Sequence, residues 1–182
     1  MKIDAAILWS HAVMSASELE HHERQLHHLA REFETLHVRV CDVSYTPGAD
    51  ALRRIGPLLL AAQDLTATAL VRLNALHNST FAAVAGRRSS LERLSSVLVA
   101  SSLVNNALAR ALQANPGEGE PAPGGRSHDG PAGSARQAEA ILLIVGHLDE
   151  AATHLELSAT ACRQLAAGIV RNLTGVESCP TN

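Results

Sequence analysis

Aliphatic side chains recur at intervals of three and four residues along most of this chain, and this spacing constrains the fold more than any other feature. Such intervals place side chains on one face of an α-helix, whereas a half-buried strand alternates in steps of two. The pattern therefore predicts helices that pack lengthwise against one another. The row in the first segment is Leu19, Leu26, Leu29, Phe33, Leu36, Val40 and Val43, interrupted only at His22.

The composition agrees with an all-α fold. Hydrophobic residues make up 46% of the 182 residues but aromatic residues only 2%, so the core must be mainly leucine, alanine, valine and isoleucine. Leucine and alanine form helices readily, and alanine forms strands poorly. A chain of this length can bury a core without disulfides or metals. We expect one helical-bundle domain over residues 1–182.

Caps and helix breakers divide the chain into four predicted helices. Two serine–glutamate pairs with capping-box spacing, Ser17 with Glu20 and Ser89 with Glu92, mark the starts of the first and third helices. Gly56–Pro57 should kink or restart the second helix, because proline lacks a backbone donor. The expected bounds are about 17–43, 47–85 (a Thr46 cap, and Gly86 beyond the end), 89–114 and 134–173.

A Gly/Pro-rich segment, residues 115–133, predicts a flexible, disordered loop before the last helix, and residues 176–182 form a tail. Short connections make the first three helices antiparallel neighbours, and we favour an up-down-up-down bundle because it needs no long crossing. The row expected to be buried on the fourth helix is Ala138, Ile141, Val145, Leu148, Ala152, Leu155, Ala159, Cys162, Ala166, Ile169 and Leu173.

Charge, hydropathy and cysteine content exclude several classes of protein. The net charge of −3 argues against a nucleic-acid-binding domain, which is usually basic. No run of 18 apolar residues predicts a membrane span. Three widely spaced cysteines, Cys41, Cys162 and Cys179, match neither a disulfide framework nor a zinc cluster and favour a reducing cytoplasm. A single lysine among 15 basic residues suggests a bacterium with a GC-rich genome.

No catalytic motif or cofactor fingerprint occurs. The serines lack the G-x-S-x-G and S-x-x-K contexts of known nucleophiles, and the glycine-rich segment lacks a phosphate-loop ending. Cys162 lies in the apolar row and is interpreted as a packing residue. Cys41 is adjacent to Asp42 and has no basic neighbour that would lower its pKa. We predict a protein that is not an enzyme, with no catalytic residues and no cofactor.

Histidines raise the alternative of a metal- or small-ligand-binding bundle. Five of the ten histidines lie on the first helix, and Glu18-x-x-His21 has the spacing that di-iron bundles use. A di-iron centre fails because the second and third helices offer no interior glutamate. A site with one metal ion would use Glu18 and His21 of the first helix with His147, Glu150 and His154 of the last.

Charge is missing from two long stretches. The third helix has no charged residue between Arg93 and Arg110, and the second has none from Leu73 to Gly86. Because a surface helix normally shows a charged face, we predict that these helices carry a protein–protein interface, most simply of a homodimer. A weaker third hypothesis is a regulator binding nucleic acid through residues 53–54 and 87–93. The interface candidates are Val97, Ser101, Val104, Asn105 and Leu108.

Overall fold

The computed structural model describes residues 5–79, 87–116 and 131–176, and these residues form four α-helices. No strand occurs within these three ranges. The predicted all-α fold is therefore confirmed. The helices are α1 (Ala5–Cys41), α2 (Ala49–His77), α3 (Arg87–Ala114) and α4 (Pro131–Val176).

The helices pack as a closed ring of neighbours. α4 makes its extensive contacts with α1 and α3, and α2 contacts α3 and, over a smaller area, α1. Each helix thus has two main partners, as in a four-helix bundle. The buried side chains of all four helices form one hydrophobic core, in which Phe33 is the largest fully buried side chain among those that the structure describes.

Contacts at the helix ends give the direction of α4. The guanidinium group of Arg93, near the start of α3, lies beside Gly168, near the end of α4. Both helices are buried along most of their lengths, from Leu94 to Ala111 and from Ile144 to Ile169. They can share such a length only if they are antiparallel. The up-down-up-down arrangement therefore describes the bundle.

The link between α1 and α2 is tied to the end of α3. Gly48 donates its backbone N–H to Oδ1 of Asn115 at 2.8 Å, and Nδ2 of Asn115 donates to the Gly48 carbonyl at 2.9 Å. Gly48 has a φ of 105°, a left-handed conformation that favours glycine. Asn115 was predicted to open a flexible linker, but the structure uses its side chain to hold this turn.

The predicted starts of the first three helices are corrected. α1 begins at Ala5, so Ser17 and Glu20 lie inside the helix and do not form its capping box. α3 begins at Arg87, two residues before the predicted Ser89 cap. α2 begins at Ala49, and its start is not capped by the side chain of Thr46 as predicted. Oδ2 of Asp50 accepts the backbone N–H of Thr46 at 2.9 Å, so Asp50 reaches back to the residue expected to be the cap.

Proline at position 57 does not divide α2, which is one continuous helix across it. Burial of Ile55, Leu58 and Ala62 on the core side holds the segment helical on both sides of Pro57, and packing offsets the lost backbone hydrogen bond. α2 ends at His77 with Asn78 as its C-cap, earlier than the predicted end at Ala85. Residues 80–86, which include that predicted end, lie outside the described residues.

The buried face of α4 follows the prediction only in its second half. From Leu148 to Ile169 the predicted row is buried, but Ile141 and Val145 are exposed and Ile144, outside the predicted row, is completely buried. The exposed side chain of Ala138 is a further departure. α4 is the longest of the described helices, at about 69 Å. Residues 134–139 are all exposed, so this end of α4 extends beyond the neighbouring helices.

The predicted linker is only partly described. Residues 117–130 fall outside the described ranges, whereas residues 131–133 belong to the first turn of α4. α4 ends at Val176, three residues after the predicted end. The rest of the predicted tail, residues 177–182, also lies outside the described ranges.

Candidate functional site

The predicted interface residues lie mostly in the core of the chain itself. Val97, Ser101, Val104 and Leu108 are each 0–1% exposed, because their side of α3 faces α2 and α4. Asn105 is half-buried at the edge of this side and donates a hydrogen bond to Thr66 of α2 at 3.0 Å. The choice of residues is therefore corrected: any partner surface on α3 must use the opposite side of the helix.

That opposite side of α3 continues onto α2 as one surface of low charge. The hydrogen bond between Thr66 and Asn105 joins α2 to α3 near the middle of both helices. The exposed residues of the two helices therefore lie side by side. We call this surface the α2–α3 outer face. Its exposed residues are Leu60, Ala67, Leu70 and Val71 of α2 and Ser95, Val99, Ser102, Asn106 and Ala109 of α3.

Acidic and arginine side chains are few near this face. Between Ile55 and Ser79, the acidic and arginine residues of α2 are Asp64 and Arg72, and both border α1. Asp64 lines a groove together with Thr35 and Arg39 of α1, and Arg72 contacts the backbone carbonyl of Gln25. Asp64 is exposed one helical turn from Leu60, at the edge of the face that borders α1. Together with the uncharged stretch of α3, this position leaves the centre of the α2–α3 outer face without a formal charge.

The five metal candidates do not converge. Glu18 and His21 are exposed on the first half of α1, whereas His147, Glu150 and His154 occupy the first half and middle of α4. Because α1 and α4 are antiparallel, the first half of α1 lies toward the other end of α4. No group of three or more histidine, cysteine, aspartate or glutamate side chains that could hold a metal ion occurs in the described part of the chain.

On α4 the candidates interact locally. Nδ1 of His147 lies 3.4 Å from Oε2 of Glu150, one helical turn away. Nδ1 of His154 is buried without a hydrogen-bond partner among the described residues. His147 and Glu150 therefore interact as neighbours on one helix and do not form a metal site shared between helices.

Histidines and arginines instead meet between α1 and α2. A groove of about 580 Å³ is lined by seven polar residues. His21, Arg24, His28 and Arg31 are spaced by three, four and three residues, so one side of α1 presents them all. The complete lining is His21, Arg24, Gln25, His27, His28, Arg31 and Arg72, and we call it the His–Arg groove.

Arg72 of α2 is fixed against α1. Its Nη1 atom lies 3.3 Å from the Gln25 carbonyl, 3.4 Å from Nδ1 of His28 and 3.4 Å from Oε2 of Glu32. Nδ1 of His28 is itself 3.2 Å from the same Glu32 carboxylate. Nε2 of His27, another residue of the lining, lies 3.5 Å from Oε1 of Glu23.

A second groove of about 580 Å³ lies at the turn between α1 and α2, where Tyr45 and Asp50 contribute to its wall. The backbone N–H of Thr46, followed by the nearby Arg54 and Arg53, holds the pKa of the Asp50 carboxyl below its usual range. Burial raises the pKa of Tyr45. The Tyr45 hydroxyl has no hydrogen-bond partner among the described residues.

The two described cysteines differ sharply. Cys162 is completely buried in the core, and burial raises the pKa of its thiol to about 12, which agrees with its interpretation as a packing residue. Cys41 is exposed, with Sγ 3.7 Å from Nε2 of His37. The sequence analysis missed this basic neighbour, although the spacing of four residues on a helix signals it.

Comparisons with protein families, with curated proteins and with solved structures found no match to this chain. Among the described helices, none combines the length and the apolar character needed to cross a lipid bilayer.

Proposed function

We propose that this protein acts through protein contacts and not through catalysis, by forming a homodimer across the α2–α3 outer face. The observation that carries the proposal is the exposure of Leu60 and Val71, at 63% and 69%, on a surface that lacks formal charge at its centre. Exposed apolar side chains are ordinary when scattered, but a continuous patch without charge is typical of an interaction surface.

A second copy of the chain is the partner that suits this surface best. In a twofold dimer the same patch faces itself, so a charge near the twofold axis would meet the like charge of the second copy. A face without formal charge avoids that repulsion. Its serine and alanine residues, such as Ser102 and Ala67, are small enough for helices of two copies to approach closely.

The size of the face predicts weak association. At 1.5 Å per residue, the outer rows of α2 and α3 are each about 20 Å long, and two neighbouring helices are about 20 Å wide. The projected area of roughly 400 Å² per protomer is below the typical 800 Å² of a stable interface. We therefore expect a dimer with a dissociation constant in the micromolar range or weaker. The free thiols Cys41 and Cys162 support a reducing cytoplasm as its setting.

The test is sedimentation velocity over a concentration series from about 5 to about 500 μM, a range that spans the expected dissociation constant. The native chain should shift from monomer to dimer across the series. Val71→Glu and Val99→Glu should each remain monomeric, because the substitution places a like charge on both copies at the contact. Circular dichroism should show unchanged helix content, since both positions are exposed.

Leu142→Glu is the matched control. Leu142 is 73% exposed on α4, a helix that does not contribute to the α2–α3 outer face, so this variant should dimerise like the native chain. A native chain that stays monomeric throughout the series would refute the proposal. Loss of the dimer in Leu142→Glu but not in Val71→Glu would refute it as well, by assigning association to α4.

A further inference from the structure

We infer that the His–Arg groove binds a small anion carrying two or more phosphate groups. This site is separate from the α2–α3 outer face, because it lies on the opposite flank of α2. The inference therefore goes beyond the proposed dimer and does not depend on it. It rests on three features of the groove: two arginines without partners, one arginine that is already fixed, and a lining without aromatic carbocycles.

Arg24 and Arg31 are the first feature. Both are exposed, and neither guanidinium makes a hydrogen bond or an ion pair within the described part of the chain. They are seven residues apart, two helical turns, and so lie on one side of α1 at a spacing of about 10 Å. Each guanidinium offers five N–H donors in a fork that matches a phosphate. Two such groups on one wall suit a ligand with more than one phosphate.

Arg72 is the second feature. Its contacts with the Gln25 carbonyl and with Glu32 hold it against the groove, and its side chain is only 23% exposed. Less side-chain freedom is lost on binding when a cation is already held in place. Glu32 offsets part of this charge, and Glu23 pairs with His27. The guanidinium groups of Arg24 and Arg31 remain available to a ligand.

The lining itself is the third feature and decides the class of ligand. A volume of about 580 Å³ falls in the range typical of small-molecule sites. The groove has no phenylalanine, tyrosine or tryptophan on which a base could stack, and stacking is a principal contribution in single-stranded nucleic-acid binding. Arginine forks with histidine and glutamine donors favour oxyanions, and phosphate most of all.

Isothermal titration calorimetry of the full chain with sodium tripolyphosphate tests the inference, in a phosphate-free buffer at constant ionic strength. We expect saturable one-site binding to the native chain. The double variant Arg24→Ala, Arg31→Ala should bind at least about tenfold more weakly, as expected for the loss of charge-assisted hydrogen bonds. Thermal unfolding and sedimentation of this variant should match the native chain, because both arginines are exposed and lie off the dimer face.

Arg110→Ala is the matched control, since Arg110 is an exposed arginine of α3 that does not line the groove. It should bind tripolyphosphate like the native chain. The charge-preserving pair Arg24→Lys, Arg31→Lys should bind with intermediate affinity, because lysine keeps the charge but loses the fork. Absence of saturable binding to the native chain, or an equal loss in Arg110→Ala, would overturn the assignment. Native affinity in the variant Arg24→Lys, Arg31→Lys would also overturn the assignment, because it would show that positive charge alone, without the guanidinium fork, accounts for binding.

Discussion

The side-chain amide of Asn105 on α3 donates a hydrogen bond of 3.0 Å to the hydroxyl of Thr66 on α2. The same hydroxyl donates within its own helix to the Ala62 carbonyl at 2.8 Å. Oδ1 of Asn105 is buried and has no partner among the described residues. Asn105 therefore links the two helices beneath the α2–α3 outer face with only part of its hydrogen-bonding capacity in use.

This link should be measurable by a double-mutant cycle. Asn105→Ala removes the donor and Thr66→Val removes the acceptor, and we expect a coupling free energy of about 1 kcal/mol, the usual net value of a neutral hydrogen bond. Urea unfolding of the native chain, both single variants and the double variant gives the four free energies needed. Strictly additive single effects would show that the bond does not contribute to stability.

Two isoleucines three residues apart test the corrected orientation of α4. Ile144→Ala should lower the free energy of unfolding by about 2–5 kcal/mol, because the side chain is completely buried and its removal leaves a cavity. Ile141→Ala, the matched control at a position 38% exposed, should cost much less. The comparison is best made by urea unfolding under one set of conditions. A larger loss at Ile141 would favour the orientation predicted from the sequence.

His22 should make the bundle less stable in mild acid. Burial, and to a smaller extent the neighbouring His21, lowers the pKa of His22 below 6.5 in the folded state, although Glu18 opposes the shift. The unfolded chain then takes up a proton more readily than the folded chain. Stability contributed by neutral His22 is complete above the unfolded pKa of about 6.5 and is lost as the pH falls through that value toward the lower folded pKa.

The measurement is the free energy of unfolding at about pH 7.5 and about pH 5.5. His22→Gln should lose less stability than the native chain between these two values, because its side chain does not titrate. A second substitution that cannot titrate, His22→Asn, is the control and should show the same reduced pH dependence. Identical slopes for the native chain and His22→Gln would contradict the prediction.

The two described thiols should react at very different rates. With Cys179 replaced by serine, a disulfide reagent near neutral pH should modify Cys41 rapidly, because its thiol is exposed. Cys162 should react only when the chain unfolds, because burial blocks access and raises the pKa of its thiol to about 12. Counting released chromophore with and without denaturant distinguishes one reactive thiol from two. Two rapidly reacting thiols in the native chain would show that the core around Cys162 opens.

The sequence predicted the buried face of a helix where large aliphatic residues lie on one side only. On α1 the row through Leu26, Phe33 and Val40 is separated by polar residues, so only one helical orientation hides it. At the start of α4, residues 141–145 are all aliphatic. Such a run fits every orientation equally well, and the neighbouring helices decide that Ile144 faces inward.

The candidate surfaces show the same division. The absence of charge between Arg93 and Arg110 applies to both sides of α3 and could not tell Val97, which is buried, from Val99, which is exposed. The His–Arg groove was missed because Arg72 lies 40 residues from Glu32 and 44 from His28. Its only local signal was the row of histidines and arginines on α1.

By itself, the sequence determined that the chain forms long helices with aliphatic faces, because the three-and-four spacing of those side chains is a property of each segment alone. Tertiary structure decided which of two uncharged sides of α3 is exposed and which histidines and arginines of α1 line a groove with Arg72. Those outcomes depend on which helices pack against each other. Contacts between residues that are distant along the chain produce no periodic pattern within a single segment, so the sequence of that segment cannot predict them.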